Sequence, residues 1–247
     1  AKWIMGKNAD DTPRQSIEDP LHSRPIVFNY EEDKRLVFVG TNSGYLHAFD
    51  ADTGREEYAV IPEEVLKNPL YYVDPENFQS PNKVYGLDGP IRFYHDDKNL
   101  NARIDNNEAA YLYIGMRRGG HSYYAFDISD STKPDLLWQQ HGNYVDQPIK
   151  NKPLVSSGFE RLGQTWSKLK PALVKGKGVV LLTAGGYDPD EDGTTISGPS
   201  TRINHDIGNT IYMLNPKTGE VIWDAYSDIP GVSSSMTSGF ASDVSPV

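Results

Sequence analysis

Short apolar runs, separated by polar and glycine-bearing connections, recur along this chain in a fixed order. Leu36-Val37-Phe38-Val39-Gly40 leads through Tyr45-Leu46-His47-Ala48-Phe49-Asp50 to Thr53-Gly54. Tyr111-Leu112-Tyr113-Ile114-Gly115 leads through Ser122-Tyr123-Tyr124-Ala125-Phe126-Asp127 to Leu137-Trp138. Val179-Val180-Leu181-Leu182-Thr183 leads through Thr210-Ile211-Tyr212-Met213-Leu214-Asn215 to Thr218-Gly219 and Ile222-Trp223. Short apolar runs bounded by turn residues in this way predict buried strands. Another strand precedes each run, entered through a proline: Pro25-Ile26-Val27-Phe28, Pro90-Ile91-Arg92-Phe93 and Pro171-Ala172-Leu173-Val174. Proline suits the first residue or the edge of a strand. With the last strands (Glu57–Val60, Leu136–Trp138, Val221–Trp223) each unit has four antiparallel strands.

A unit like this cannot bury both its faces and must stack on its neighbours. Four-stranded units repeated around an axis are propeller blades. The fold predicted is therefore all-β: a partial β-propeller of four-stranded antiparallel blades, in one domain over residues 1–247. Blade 1 spans about 22–61, blade 2 about 89–139 and blade 3 about 169–225; a fourth opens at about 232–247. Asp50, Asp127 and Asn215, which end equivalent strands, are 77 and 88 residues apart. A bare blade needs only about 40–45 residues, so the excess forms insertions over 62–88, 140–168 and 185–208. Pro62–Lys67 predicts a short helix that Pro69 stops. Three blades do not close a propeller, so further blades are expected beyond Val247.

Composition narrows the partners. Lys and Arg number 24 against 34 Asp and Glu, a formal net charge of −10. That argues against nucleic acid, which needs a basic footprint. There is no cysteine, which excludes disulfides, cysteine–zinc sites and thiol catalysis. No apolar run approaches the ~18 residues of a membrane helix, so no membrane insertion is expected.

The wording of the repeats resembles one family. His22-Ser23-Arg24-Pro25-Ile26-Val27 and Phe38-Val39-Gly40-Thr41-Asn42-Ser43-Gly44-Tyr45-Leu46-His47-Ala48-Phe49-Asp50 are similar to the C-terminal domain of the type IV pilus biogenesis and tip-adhesin proteins, the PilY/PilC family. Ile61–Leu66, Tyr85–Pro90, Arg117–Asp127, Gly163–Ser167 and Ser233–Ser235 follow in the family's order. The resemblance implies a modified, quinoprotein-like propeller at the tip of a type IV pilus, extracellular or associated with the outer membrane. It implies a protein, not an enzyme, that opposes pilus retraction and supports surface attachment and twitching motility. Pilin or minor pilins, contacted through the rest of the protein, and a host-cell or surface receptor are the implied partners. The family's best-known calcium loop follows a segment like Asp243–Val247, and its Arg-Gly-Asp tripeptide is absent here. Two other function classes share this kind of blade, namely a dehydrogenase using pyrroloquinoline quinone and calcium, and a carbohydrate-binding propeller.

Asp188-Pro189-Asp190-Glu191-Asp192-Gly193-Thr194 carries the sharpest local chemistry. Asp188, Asp190 and Asp192 fill positions 1, 3 and 5 of a calcium loop, Gly193 position 6, and the Thr194 carbonyl position 7. Position 12 is Pro199 instead of Glu, with Asp206 as a distant substitute. Calcium and a solvated acidic hairpin tip are the two alternatives. Asp96-Asp97-Lys98-Asn99 and Asp105-Asn106-Asn107-Glu108 form a second oxygen-rich stretch, whose spacing matches no metal loop and predicts a turn. Arg117-Arg118-Gly119-Gly120 predicts a hairpin turn with left-handed glycines more than an anion cradle. Tyr71, Tyr72 and Tyr144 either offer an adhesive surface or pin the insertions, and Trp138 and Trp223 should pack blade on blade. The six histidines show no metal-ligand spacing.

Overall fold

The computed structural model describes residues 2–14, 17–73, 83–144, 149–189, 206–233 and 235–245. Among these described residues, twelve strands form three four-stranded antiparallel sheets, each a simple meander of consecutive strands. The first holds β1 (Ile26–Asn29), β2 (Arg35–Gly40), β3 (Leu46–Asp50) and β4 (Glu56–Val60). The second holds β5 (Arg92–His95), β6 (Ala110–Gly115), β7 (Ser122–Asp127) and β8 (Asp135–His141). The third holds β9 (Lys170–Val174), β10 (Gly178–Ala184), β11 (Ile211–Leu214) and β12 (Val221–Asp224). Equivalent strands carry the same register device: the third strand slips against the fourth at Ala48/Phe49, Ala125/Phe126 and Met213/Leu214. The three sheets are consecutive four-stranded blades of a partial β-propeller.

Side-chain alternation explains why the blades stack. Every residue of β6 is buried. Leu112 and Ile114 point to one side and join Phe28, Leu36, Phe38 and Ala48 of blade 1. Tyr111 and Tyr113 point to the other and join Leu181, Tyr212 and Leu214 of blade 3. The middle blade thus buries both faces, and period two in the sequence becomes two separate cores. Trp138 closes the second core by donating its indole N–H to the Pro216 carbonyl at 3.0 Å. β5 and β9, the first strands of their blades, lie side by side.

The antiparallel order sorts the connections onto two ends. One end carries the blade entries and the β2–β3, β6–β7 and β10–β11 connections, and so all the long insertions. The other carries the β1–β2, β5–β6 and β9–β10 connections with the β3–β4, β7–β8 and β11–β12 turns. The first insertion forms α1 (Glu63–Lys67) with Pro62 at its N-cap, as predicted. α1 ends at Lys67, before Pro69, as predicted; Pro69 in turn opens α2 (Pro69–Val73), because proline fits a first helical turn. Tyr72 and Tyr144 are buried and Tyr71 half-buried, so these rings pin the insertions. Residues 229–245 contain no strand among the described residues and run across the insertion end, where Phe240 exchanges backbone hydrogen bonds with Gly186 and Gly208.

Candidate functional site

At the insertion end, α1 drives a carboxylate into blade 2. Glu64 is 3% exposed. Its Oε2 accepts from the Ser122 hydroxyl at 2.7 Å and the Tyr124 hydroxyl at 2.8 Å, while Oε1 has no hydrogen-bond partner. Burial raises its pKa, and the nearby hydroxyls of Tyr144, Ser122 and Tyr124 pull it back in part. His141 Nδ1 lies 2.7 Å from the Ser122 hydroxyl. Serine, histidine and a carboxylate thus meet, yet not as a catalytic triad. The acid touches the serine and stays 3.9 Å from the same ring nitrogen of His141, so it does not orient the far side of a base. Ser122 is fully buried.

Next to this cluster, Arg117-Arg118-Gly119 forms a single 3₁₀ turn. The left-handed residue is Arg117 (φ 52°), and neither glycine takes that conformation. Gly119 is needed for room instead, since a Cβ would collide with the Gly86 carbonyl. The Arg117 backbone N–H donates to Thr165 Oγ1, and its guanidinium stacks 4.1 Å from the Trp166 ring. Asp88, whose side chain is fully buried, sits 3.8 Å from Arg117 and accepts from the His22 backbone N–H at 3.2 Å, with His22 Nδ1 at 2.6 Å. The arginines brace the segments that enter blades 2 and 3. His22, Arg24, Arg117, Trp166 and Lys168 line a 390 Å³ cavity there.

Asp188 is described and buried at this end; Asp190, Asp192 and Thr194, the other members of the predicted calcium set, lie outside the described residues. Asp206 is exposed and faces Arg161 Nη1 at 3.5 Å.

The opposite end carries the β5–β6 connection, residues 96–109. Asp97 accepts the backbone N–H groups of Asn101 (3.1 Å) and Ala102 (2.8 Å). The side chains of Asn99 and Asn101 converge on Asp105 Oδ2 at 2.6 and 3.0 Å. Glu108 is buried and accepts from the backbone N–H of Lys98 at 2.8 Å and of Asp105 at 3.3 Å, with His95 Nε2 at 2.9 Å. Burial works against its charge, but these partners outweigh it and hold the Glu108 carboxyl below its ordinary range. Donor atoms of His95, Asp97 and Glu108 all lie within 4.8 Å of one another. The stretch connects the first two strands of blade 2, as the sequence predicts; counted from Asp97, its Asp97, Asn99, Asn101, Asp105 and Glu108 also stand in the order of positions 1, 3, 5, 9 and 12 of a calcium loop, with Arg103 at 7. Counting from Asp96 or Asp105 hides the pattern, and the glycine usual at position 6 is here Ala102, held at φ 57°.

No family model matches the chain. Among curated proteins it is 30% identical over 176 residues to the type IV pilus biogenesis factor PilY1 of Pseudomonas aeruginosa (strain UCBPP-PA14), covering 67% of this chain and 13% of that protein. A PilY1 homolog of Xylella fastidiosa is 32% identical over 124 residues, 46% of this chain and 9% of the homolog. The chain therefore spans about a tenth of the length of the curated relatives it matches. Among solved structures, the P. aeruginosa PilY1 C-terminal domain aligns over 79% of this chain and 32% of that one, at 21% identity and a TM-score of 0.47. Among the described residues no helix is long and apolar enough to cross a membrane. By its sequence relatives, the chain belongs to the PilY1 family of type IV pilus biogenesis factors.

Proposed function

We propose that this chain is the contact-making propeller of a type IV pilus biogenesis factor, placed at the cell surface or pilus tip. There it supports pilus assembly against retraction and mediates attachment to surfaces. The observation that carries this reading is the 30% identity to PilY1 across 176 residues. The architecture supports it: the long insertions gather at one end, and buried Glu64 and Tyr72 fix the first of them to the blades. Loops fixed on a rigid scaffold are where contact functions are usually placed. Pilin or minor pilins, and a surface receptor, are the partners this reading assigns. Deletion of the parent gene should reduce surface pili and twitching, and complementation should restore both. Unchanged piliation in the deletion strain, or turnover of an alcohol by the purified protein with pyrroloquinoline quinone and calcium, would contradict it.

A further inference from the structure

We propose that the loop Asp97–Glu108 is a calcium site whose occupancy clasps blade 2 to blade 1. Six oxygen donors fall in calcium register: the side chains of Asp97, Asn99, Asn101, Asp105 and Glu108, and the Arg103 carbonyl. The set is not simply acidic, since two donors are amides and one is main chain. All-oxygen donors in this number suit calcium. Asn99 and Asn101 already turn their amide ends to Asp105 Oδ2. Rotating each amide by half a turn exchanges nitrogen for oxygen at the same place, which converts that convergence into an oxygen cage.

Two features outside the donor set point the same way. Position 8 of such a loop is Ile104, which is 3% exposed and plugs into the core shared by blades 1 and 2. His95 comes from β5, not from the loop, and its ring holds Glu108 at 2.9 Å. A hydrogen-bonded partner behind a ligating carboxylate fixes its orientation.

The clasp follows from what the loop touches. The Ile104 N–H donates to the Asn29 carbonyl at 2.8 Å, at the end of β1, and Tyr30 and Ile104 form a parallel bridge. Asn106 donates to Glu31 through its backbone at 3.2 Å and its side chain at 2.5 Å. Arg103 reaches Asp33 at 3.5 Å. The turn between β1 and β2 is thus held by residues at positions 7, 8 and 10 of the loop. An ion fixing positions 1 to 12 would rigidify all of these contacts at once. This end is opposite the insertion end, so the site is separate from the Asp188 segment.

The test is calorimetric titration of the EDTA-stripped whole chain with calcium chloride, paired with hydrogen exchange. Glu108→Gln and the more exposed Asn101→Ala should each weaken one binding event by about tenfold or more. Asp190→Asn with Asp192→Asn should leave that event unchanged. Asn101→Ala keeps the test valid if Glu108→Gln fails to fold. Calcium should slow amide exchange of residues 29–33 in wild type and not in Asn101→Ala. Absence of binding at about 10 mM calcium, or binding indifferent to both loop variants, would overturn the site. Binding with no slowing at 29–33 would overturn the clasp.

Discussion

The Tyr124 hydroxyl donates to Glu64 Oε2 at 2.8 Å, so a carboxyl group carried by the first insertion is bonded inside the second blade. Burial holds this carboxyl above its ordinary pKa. An acid shifted upward contributes stability below its ordinary value and loses it as pH rises through the folded value. Glu64→Gln keeps the shape and removes the ionisation. Its melting temperature should gain on wild type as pH rises above about 4.5, read by thermal melts from pH 4 to 8. Parallel curves would mean that Glu64 has no part in the pH response. Glu64→Ala should cost about 1–3 kcal/mol, because the Tyr124 hydroxyl is left buried without its acceptor.

His141 runs the opposite way. Burial pushes its pKa down to about 4, with Lys67 adding to the shift and Glu63 opposing it. A histidine held below its ordinary value of about 6.5 contributes stability above that value. The contribution drains as pH falls from there to the folded value. Wild type should therefore lose more melting temperature between pH 6.5 and 4 than His141→Gln does. Equal losses would place the acid sensitivity elsewhere.

These two groups mark the limit of what is legible in the sequence. The blades are legible, because β6 and its counterparts repeat one apolar run, and within a strand each residue's face follows from parity. The partner of Glu64 is not, since Ser122 and Tyr124 lie 58 and 60 residues away and no local period links a helix residue to a strand in the next blade. Arg117 and Gly119 show a subtler failure. A glycine pair between strands suggests positive φ, but here the arginine takes it, overruled by Thr165 and Trp166. The Asp97–Glu108 register is present in the residues themselves. It is obscured because Ala102 stands where glycine is usual and because Asp96 offers a false starting point.

Asp88 and Arg117 should behave as a coupled pair. The Arg117 Nη1 atom is buried without a hydrogen-bond acceptor, and Asp88 at 3.8 Å is its compensating charge. Asp88→Ala should destabilise by about 2–3 kcal/mol in urea unfolding. Adding Arg117→Met should recover part of that loss, because no uncompensated charge then remains. Additive losses in the double variant would show that the two act independently.

Gly219 and Trp138 give the most local test of the junction between blades 2 and 3. Gly219 has φ 71°, and a Cβ there would lie 2.6 Å from Cδ2 of the Trp138 ring. Gly219→Ala therefore meets backbone strain and overpacking together, at about 1–3 kcal/mol. Trp138→Ala should cost about 3–5 kcal/mol, since it empties a buried ring site and removes one of the two donors to the Pro216 carbonyl, the Tyr113 hydroxyl being the other. The two penalties share a cause. Once the indole is removed, a methyl at position 219 has space, and only the strain remains. The cost of Gly219→Ala, measured by urea unfolding, should thus fall in the Trp138→Ala background. An unchanged cost would assign the whole effect to the left-handed backbone and remove the ring contact from the account of this junction.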